Sequence, residues 1–309
     1  MILVTGASGY VGGYVLRQLA KTNSATPMRA LVRGPAQSSK VQALSVQPVI
    51  GDVTDAASLA GALKDVDTVI HLAAVNRDRG AVTMERVNQQ GTINLVDAAK
   101  LAGVKHIINV VGLGASPSKP YPLAKTQGVG VEYLIKSGVP YTILEASVIF
   151  GAGDEFLNTL AGLARVPPFM IVPGDGKSKF QPIAAADVAA CVVRSIEMST
   201  VINKRLQICG AEVLTLEQII DEILKTMQLS RTKLKMPVPL LRIAVGLMDA
   251  LLPRPPVTPS LLAQLGVDNV ATDNATQKVF GVQPMPLRDN IGFVREMTLS
   301  KLINRTLGK

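Results

Sequence analysis

The sequence is poor in cysteine, histidine and aromatic residues. Its 309 residues include two cysteines, two histidines and no tryptophan. Cys191 and Cys209 form no CxxC pair, so neither a disulfide framework nor a metal site is expected. Aromatic residues make up 4% of the chain, too few to form the stacking platform on which single-stranded nucleic acids bind.

A long hydrophobic run is also missing. The longest apolar stretch, residues 236–252, is interrupted by Arg242 and Asp249 and is too short to span a bilayer comfortably. We expect no secretory leader, because the first apolar segment starts at residue 2. We therefore expect a cytoplasmic chain that works where it is made, or one that has lost a presequence.

The charge is strongly positive, with a formal net value of +9. Because the basic residues form no concentrated run, nucleic acid is the least favoured partner and none is predicted. An anionic cofactor and an anionic membrane surface remain as alternatives.

The strongest motif lies at the N-terminus, where an apolar strand at residues 2–4 runs into Thr-Gly-Ala-Ser-Gly-Tyr-Val-Gly at 5–12. Gly6 permits a tight turn, Gly9 lets a backbone approach a pyrophosphate, and Gly12 lets helix and strand pack closely. A glycine turn that binds nothing is the alternative. The strand before it and the helical spacing after it favour a dinucleotide site.

Apolar strands and helical patterns then alternate along the first half of the chain. This alternation predicts an α/β fold, a doubly wound parallel sheet of the Rossmann type, over residues 1–150. Residues 151–309 are predicted to form a smaller, mostly helical C-terminal region for substrate binding or docking, with some segments returning to the main sheet. The further strands are predicted at 30–32, 49–50, 68–72, 106–111 and 141–144.

The end of the second strand indicates which dinucleotide is bound. A carboxylate there would favour NAD, but the chain has Arg33, whose guanidinium suits the 2′-phosphate of NADP(H). An ordinary solvated arginine remains the alternative. Asp52 and Val53 are candidates for the adenine, although Asp52 also suits a turn. The predicted contacts in this half of the site are Gly6, Ser8, Gly9, Tyr10, Val11, Gly12, Arg33, Asp52, Val53, Leu72, Ala73 and Ala74.

Together with Val-Asn-x-x-Gly-Thr-x-Asn at 87–94 and Tyr121-x-x-x-Lys125, these motifs resemble the short-chain dehydrogenase/reductase superfamily, of the extended or atypical kind. Within it the chain is most similar to the NAD(P)H-binding accessory subunits of respiratory complex I and their bacterial relatives. Residues 113–117, 149–158 and 237–240 carry that closer similarity.

The resemblance implies that Tyr121 is the general acid or base and that Lys125 favours its phenolate and holds the cofactor ribose. Their spacing allows both side chains to share one helix face, with Pro122 placing Tyr121 at the helix edge. Active relatives carry a serine where this chain has Gly112, and losing such a donor costs on the order of 100-fold in rate. In the alternative, Lys125 only clamps the ribose and Tyr121 is a surface aromatic.

A second departure from the superfamily pattern is Glu145-Ala146, where a basic residue and then proline are usual. The main-chain groups of Ala146, Ser147 and Val148 are the predicted contacts of the nicotinamide carboxamide.

The segment 231–252 is the candidate docking element. Its helix, 237–252, is apolar on most faces and follows Arg231, Lys233 and Lys235, a pattern that suits an anionic membrane surface or an acidic membrane complex. Such a chain would lie on the inner face of a membrane. A helix that covers the substrate cleft is the alternative.

Two functions therefore remain open. The first is an NADP(H)-dependent oxidoreductase, weak or specialised, that acts on an apolar alcohol or carbonyl compound. The second is a non-catalytic nucleotide-binding protein with a structural, assembly or redox-sensing role at a respiratory or quinone-linked membrane complex.

Overall fold

A computed structural model describes residues 1–22 and 26–307. The strands in chain order are β1 (Ile2–Thr5), β2 (Met28–Val32), β3 (Gln47–Ile50), β4 (Thr68–His71), β5 (His106–Gly112), β6 (Tyr141–Ala146), β7 (Ile149–Phe150), β8 (Phe169–Pro173), β9 (Lys179–Phe180), β10 (Ile183–Ala184), β11 (Lys204–Ile208), β12 (Leu214–Thr215) and β13 (Thr232–Met236).

The α-helices are α1 (Tyr10–Thr22), α2 (Pro35–Gln42), α3 (Leu59–Ala62), α4 (Gly91–Leu101), α5 (Pro122–Lys136), α6 (Phe156–Ala164), α7 (Ala185–Glu197), α8 (Leu216–Met227), α9 (Val238–Leu251), α10 (Pro259–Leu265), α11 (Ala275–Lys278) and α12 (Leu299–Leu307). A π-helical segment, Glu85–Gln90, leads directly into α4.

The chain divides into two compact units. The first comprises Met1–Ala146, Ala185–Ile208 and Asp273–Gln283, and the second comprises Ser147–Ala184, Cys209–Thr272 and Pro284–Lys309.

The first unit contains a seven-stranded parallel sheet with the order β11-β6-β5-β4-β1-β2-β3. The order reverses between β1 and β4, which is the position where open α/β sheets bind ligands beyond the carboxyl ends of their strands. Side chains on both faces of the central strands are buried, as in Leu3 and Val4, because helices cover the sheet. The predicted doubly wound fold is confirmed.

The second unit is built around α6 and α8. Ile219, Ile220 and Ile223 of α8 are fully buried in its core, as the helical spacing predicts. The capping box at Thr215 is also confirmed, because its Oγ1 accepts from the Gln218 N–H while the Gln218 side chain accepts from the Thr215 N–H.

Helix α9 of the second unit is mostly exposed. Its buried residues are Leu241 and Val245, which form a small separate cluster with Leu262 of α10. The opposite face carries exposed apolar side chains at Leu240, Ile243, Leu247 and Leu251. No helix in the described part of the chain has the length and apolar character required to cross a bilayer.

Candidate nucleotide and catalytic site

The glycine turn after β1 is shaped by a close approach of two backbones. Gly6 has a φ of +66°, and a Cβ there would lie 2.6 Å from the carbonyl carbon of Leu72, which follows β4. The Leu72 N–H in turn donates to the Thr5 carbonyl (3.2 Å). Only glycine suits this position, both for its φ and for the space available.

The same turn leads directly into α1 and has no room for side chains at its glycines. A Cβ at Gly12 would lie 2.3 Å from the Gly6 carbonyl oxygen, and one at Gly9 would lie 3.0 Å from that oxygen. The Gly9 N–H donates to the Gly6 carbonyl (2.9 Å), and α1 begins one residue later at Tyr10. The residues present therefore form the glycine-lined cradle at a helix N-terminus that a pyrophosphate requires, with Tyr10 and Val11 in the first helical turn.

Two further side chains have hydrogen-bond donors without a described partner: Ser8 in the glycine turn and Arg33 after β2. Arg33 follows β2, is exposed, and uses its backbone N–H to bind Gln37 Oε1 (2.9 Å). Neither its guanidinium nor the Ser8 hydroxyl hydrogen-bonds to any residue that the structure describes. Both groups are therefore available to an anionic ligand.

Asp52 forms the turn that its residue type allows. Its Oδ1 accepts from the Thr54 N–H (2.9 Å) and hydroxyl (3.0 Å), and the buried Val53 accepts through its carbonyl from Asn94 Nδ2 (2.9 Å). Their role at the adenine stays a prediction.

His71, at the end of β4, is a buried residue whose interactions the sequence did not reveal. Its Nδ1 lies 2.7 Å from Thr5 Oγ1 and its Nε2 lies 3.0 Å from Thr92 Oγ1. Thr92 already donates its hydroxyl proton to the Asn88 carbonyl (2.7 Å), so it must accept from His71 Nε2–H. The ring is therefore the neutral Nε2–H tautomer, and burial lowers the pKa of His71 to about 4.

Tyr121 and Lys125 lie at the start of α5. Tyr121 has extended backbone angles (φ −88°, ψ 123°) as the N-cap residue, and Pro122 is the first helical residue. The expected helix-edge position of Tyr121 is therefore present, although Tyr121 itself lies outside the helix that carries Lys125. Tyr121 is half-buried and Lys125 exposed, and neither side chain hydrogen-bonds to a residue in the described ranges.

Gly112, at the end of β5, contacts a residue that the sequence did not single out. Its N–H donates to Gln127 Oε1 of α5 (2.9 Å), and a Cβ at Gly112 would lie 3.2 Å from that oxygen. Ser116 and Ser118, the nearest hydroxyl side chains, bind each other (2.9 Å). The helix packs so tightly here that a Cβ at Gly128 would lie 2.4 Å from the Ser116 Cα.

A pocket at the carboxyl ends of β4 and β5 brings several of these residues together. It is lined by His71, Ala73, Ala74, Asn88, Thr92, Asn109, Val110, Val111 and Gln127. Ala73 and Ala74 are predicted cofactor contacts, so the pocket borders the expected cofactor position.

Glu145 has a structural role. It is buried in β6 and forms an ion pair with Arg205 of β11, whose guanidinium also donates to the Ala115 carbonyl in the loop after β5. The carboxylate thus ties that loop to the sheet, which accounts for the acidic residue at this position.

The three predicted carboxamide contacts are partly committed to other groups. The Ala146 carbonyl accepts from the Leu113 N–H (2.8 Å). In the second unit the Ser147 hydroxyl donates to the Gln181 carbonyl, and the Val148 N–H donates to Asn269 Oδ1 (2.9 Å). Their contact with nicotinamide stays a prediction.

The basic residues before α9 are bound within the second unit. Lys233 pairs with Glu217 and Asp221, each at 2.9 Å, and Lys235 pairs with Glu217 at 2.9 Å. Arg231 donates to the Ala164 carbonyl (3.0 Å). Their charge is therefore largely balanced by the protein itself.

Residues 1–22 and 26–307 contain no group of three or more histidine, cysteine, aspartate or glutamate side chains that could hold a metal ion. Burial raises the pKa of the Cys191 thiol to about 12, so this cysteine is a neutral core residue rather than a nucleophile.

Comparison with known proteins adds to this geometry. The family model described as NAD(P)H-binding matches residues 6–199. Quinone oxidoreductase 2 of Escherichia coli (strain K12) is 32% identical over 228 residues, covering 73% of this chain and 74% of that protein. The mitochondrial NADH dehydrogenase (ubiquinone) 1 alpha subcomplex subunit 9 of Arabidopsis thaliana is 25% identical over 285 residues, covering 88% of this chain and 71% of that protein.

A solved structure agrees over almost the entire chain. The NADPH-dependent quinone oxidoreductase QOR2 from Escherichia coli, complexed with NADPH, has a TM-score of 0.76 and is 26% identical, covering 94% of this chain and 98% of that one.

The buried neutral His71 predicts a pH dependence of stability. Its pKa falls from 6.5 to about 4 on folding, so between these values only the unfolded chain binds the proton, and stability decreases as the pH is lowered. We expect His71 to account for a loss of about 2 kcal/mol between about pH 7 and pH 5. Urea unfolding of wild type and His71→Gln at both pH values gives the free energy of unfolding. The loss is the difference between the two proteins in how far this free energy falls from about pH 7 to pH 5.

The comparison with the variant is necessary because Asp154, in the second unit, acts in the opposite direction. Burial raises the pKa of Asp154 to about 6, so its contribution to stability grows as pH falls. His106→Gln is the companion variant, with a smaller expected effect because His106 is less deeply enclosed. An equal fall in wild type and His71→Gln would contradict the assignment.

Proposed function

The chain belongs to the NAD(P)H-binding family, and on that premise we propose that it is an NADPH-dependent reductase of quinones. The predicted superfamily and the predicted nicotinamide dinucleotide are confirmed. The preference for the phosphorylated cofactor, the quinone substrate and the role of Tyr121 are the proposal.

The observation that carries the proposal is the glycine cradle before α1, with the uncommitted Arg33 guanidinium after the neighbouring strand β2. A cation at the end of that strand, where NAD-binding proteins carry a carboxylate, favours a 2′-phosphate. The quinone is supported by similarity to a quinone oxidoreductase at 32% identity.

The chain's own residues divide the work as follows. Gly6, Gly9 and Gly12 admit the pyrophosphate, and Arg33 with Ser8 binds the 2′-phosphate. Lys125 binds the nicotinamide ribose. Tyr121 donates a proton to the quinone oxygen.

NADPH, when bound, supplies the hydride. With the one proton from Tyr121, a quinone then becomes a hydroquinone, and the phenol is reprotonated from solvent. The overall reaction consumes NADPH, a proton and the quinone, and it releases NADP⁺ and the hydroquinone. The buried, neutral ring of His71 lines the pocket.

Arg33→Ala tests the cofactor preference. Removing a charge-assisted contact should raise the Kd for NADPH about 10- to 50-fold and change the Kd for NADH less than about 2-fold. Fluorescence titration of both cofactors measures this. Arg242→Ala, which removes another exposed arginine with no ion pair among the described residues, is the matched control. Equal losses for both cofactors would refute the role of Arg33.

Tyr121→Phe tests the reductase itself. Losing the general acid should lower kcat for menadione reduction about 100-fold while leaving the Kd for NADPH unchanged. NADPH oxidation, followed by absorbance, measures kcat. Tyr133→Phe is the control, because Tyr133 lies on the same helix and bonds to Asp97 at the surface. Full activity in Tyr121→Phe would rule out this proton donor.

A second function is favoured by the exposed face of α9: we propose that this face docks on an anionic lipid surface. Ile243 and Leu251 are 66% and 78% exposed, and Leu240 and Leu247 lie on the same side of the helix. An apolar stripe of this kind on a surface helix is typical of an interfacial segment.

Charge identifies the lipid as anionic. The loop after α9 meets the end of α12 through the bond from Arg254 N–H to the Thr306 carbonyl (3.0 Å). Helices α9, α10 and α12 and this loop contain one acidic residue, Asp249. Their basic residues are exposed and form no ion pair within the described part of the chain: Arg242, Arg254, Lys301 and Arg305. Such cations attract anionic head groups.

Ile243→Asp/Leu247→Asp tests the docking. Both residues are exposed, so we expect unchanged thermal stability but loss of co-sedimentation with phosphatidylglycerol vesicles. Leu101→Asp, at a 91% exposed site in the first unit, should bind vesicles like wild type. Equal binding to phosphatidylcholine vesicles, or a dimer in sedimentation velocity that the double variant abolishes, would overturn the anionic lipid as the occupant.

A further inference from the structure

Gln127 lies beside Gly112, the position at which this chain lacks a side-chain hydrogen-bond donor. Active relatives place a serine hydroxyl at the end of the fifth strand, and this chain has Gly112 there. The Gln127 side chain reaches that position from α5, because its Oε1 accepts the Gly112 N–H at 2.9 Å. A different side chain therefore occupies the place of the missing hydroxyl.

The hydrogen bond to Gly112 determines which atom of the Gln127 carboxamide is the oxygen and which is the nitrogen. A backbone N–H only donates, so the atom that it contacts must be the oxygen of Gln127. The amide nitrogen Nε2, with its two N–H donors, is then left without a partner in this contact. It hydrogen-bonds to no residue in the ranges 1–22 and 26–307.

The surrounding pocket contains a second uncommitted amide. Asn109 of β5 pairs in register with His71 of β4, so both side chains lie on the same face of the sheet and line the pocket with Gln127. Asn109 is only 3% exposed, yet its side-chain amide bonds to none of the described residues. The Asn109 amide is therefore open to a hydrogen-bonding group that enters the pocket.

The other polar groups of the pocket are already used. The two ring nitrogens of His71 bind Thr5 and Thr92, and the Asn88 amide binds the Val75 N–H and carbonyl (both 2.8 Å). The open hydrogen-bonding capacity of the pocket therefore lies with Gln127 and Asn109.

We propose that Gln127 Nε2–H donates to the reacting carbonyl oxygen of the substrate, in the role of the absent serine hydroxyl. This inference rests on the proposed reductase function. The proton still comes from Tyr121, and Gln127 stabilises the negative charge that develops on the oxygen as the hydride arrives. Asn109 completes the polar lining of the same pocket.

Gly112 and Gln127 are matched in size. A Cβ at residue 112 would lie 3.2 Å from Gln127 Oε1, closer than ordinary side-chain packing allows without displacement. We therefore expect that either a hydroxyl at residue 112 or the amide of residue 127 can supply the hydrogen-bond donor to the substrate oxygen.

Gln127→Glu is the sharpest test, because a carboxylate keeps the acceptor for the Gly112 N–H and replaces only the donor. With menadione and NADPH at about pH 8, kcat should fall about 100-fold while the Kd for NADPH stays within about 2-fold. Activity should recover in part as pH falls towards about 5, since the introduced carboxyl group regains an O–H donor when it binds a proton. The control is Gln90→Glu, which replaces an exposed glutamine.

The second test moves the hydrogen-bond donor from residue 127 to residue 112. Gly112→Ser alone should lower kcat by crowding Gln127, and Gln127→Ala should lower it by removing the donor. The double variant Gly112→Ser/Gln127→Ala should be at least about 10-fold more active than Gln127→Ala. A double variant no better than Gln127→Ala, together with a fully active Gln127→Glu, would overturn the inference and leave the reductase proposal intact.

A binding measurement separates this inference from the reductase proposal. Menadione is added to protein loaded with NADP⁺, which has no hydride to give, and the ¹⁵N signal of the Gln127 side-chain NH₂ is followed. The signal should shift on binding, and the menadione Kd should rise about 5-fold in Gln127→Glu. A shift in a protein that never oxidises NADPH refutes the reductase and supports the contact. An unmoved signal in the presence of bound menadione refutes the contact, and absence of menadione binding refutes both.

Discussion

The close approach of the turns after β1 and β4 is the constraint on which the nucleotide site depends. A Cβ at Gly6 would meet the backbone of Leu72, and Thr5 and His71, the last residues of these two strands, are joined by a side-chain hydrogen bond of 2.7 Å. The two backbones can therefore sit side by side at the switch point of the sheet.

The loop after β5 is held by contacts from three directions. Arg205, paired with Glu145, binds the Ala115 carbonyl, while Gly128 allows α5 to touch Ser116. Gln127 binds the Gly112 N–H at the start of the loop. These contacts hold α5, which carries Lys125 and follows Tyr121, against the end of β5.

Much of the first unit could be predicted because its signals are local. The strand-turn-helix at residues 2–12 and the alternation that follows depend on residues near in sequence, and the capping box at Thr215 spans three positions. The tautomer of His71 and the use of Gln127 could not be predicted in this way. Each depends on partners between 15 and 66 residues away, brought together only when the strands align.

The sequence by itself determined the fold class and the glycine cradle of a dinucleotide site, since periodicity and turn chemistry act over a few residues. Only the tertiary structure decided which charged and polar groups stay available. It paired Lys233 and Lys235 with Glu217, buried Glu145 against Arg205, and left Arg33 and the Gln127 amine open. Whether a charged group or hydrogen-bond donor can bind a ligand depends on the tertiary structure, because the group pairs with any suitable partner that the fold places within hydrogen-bond distance.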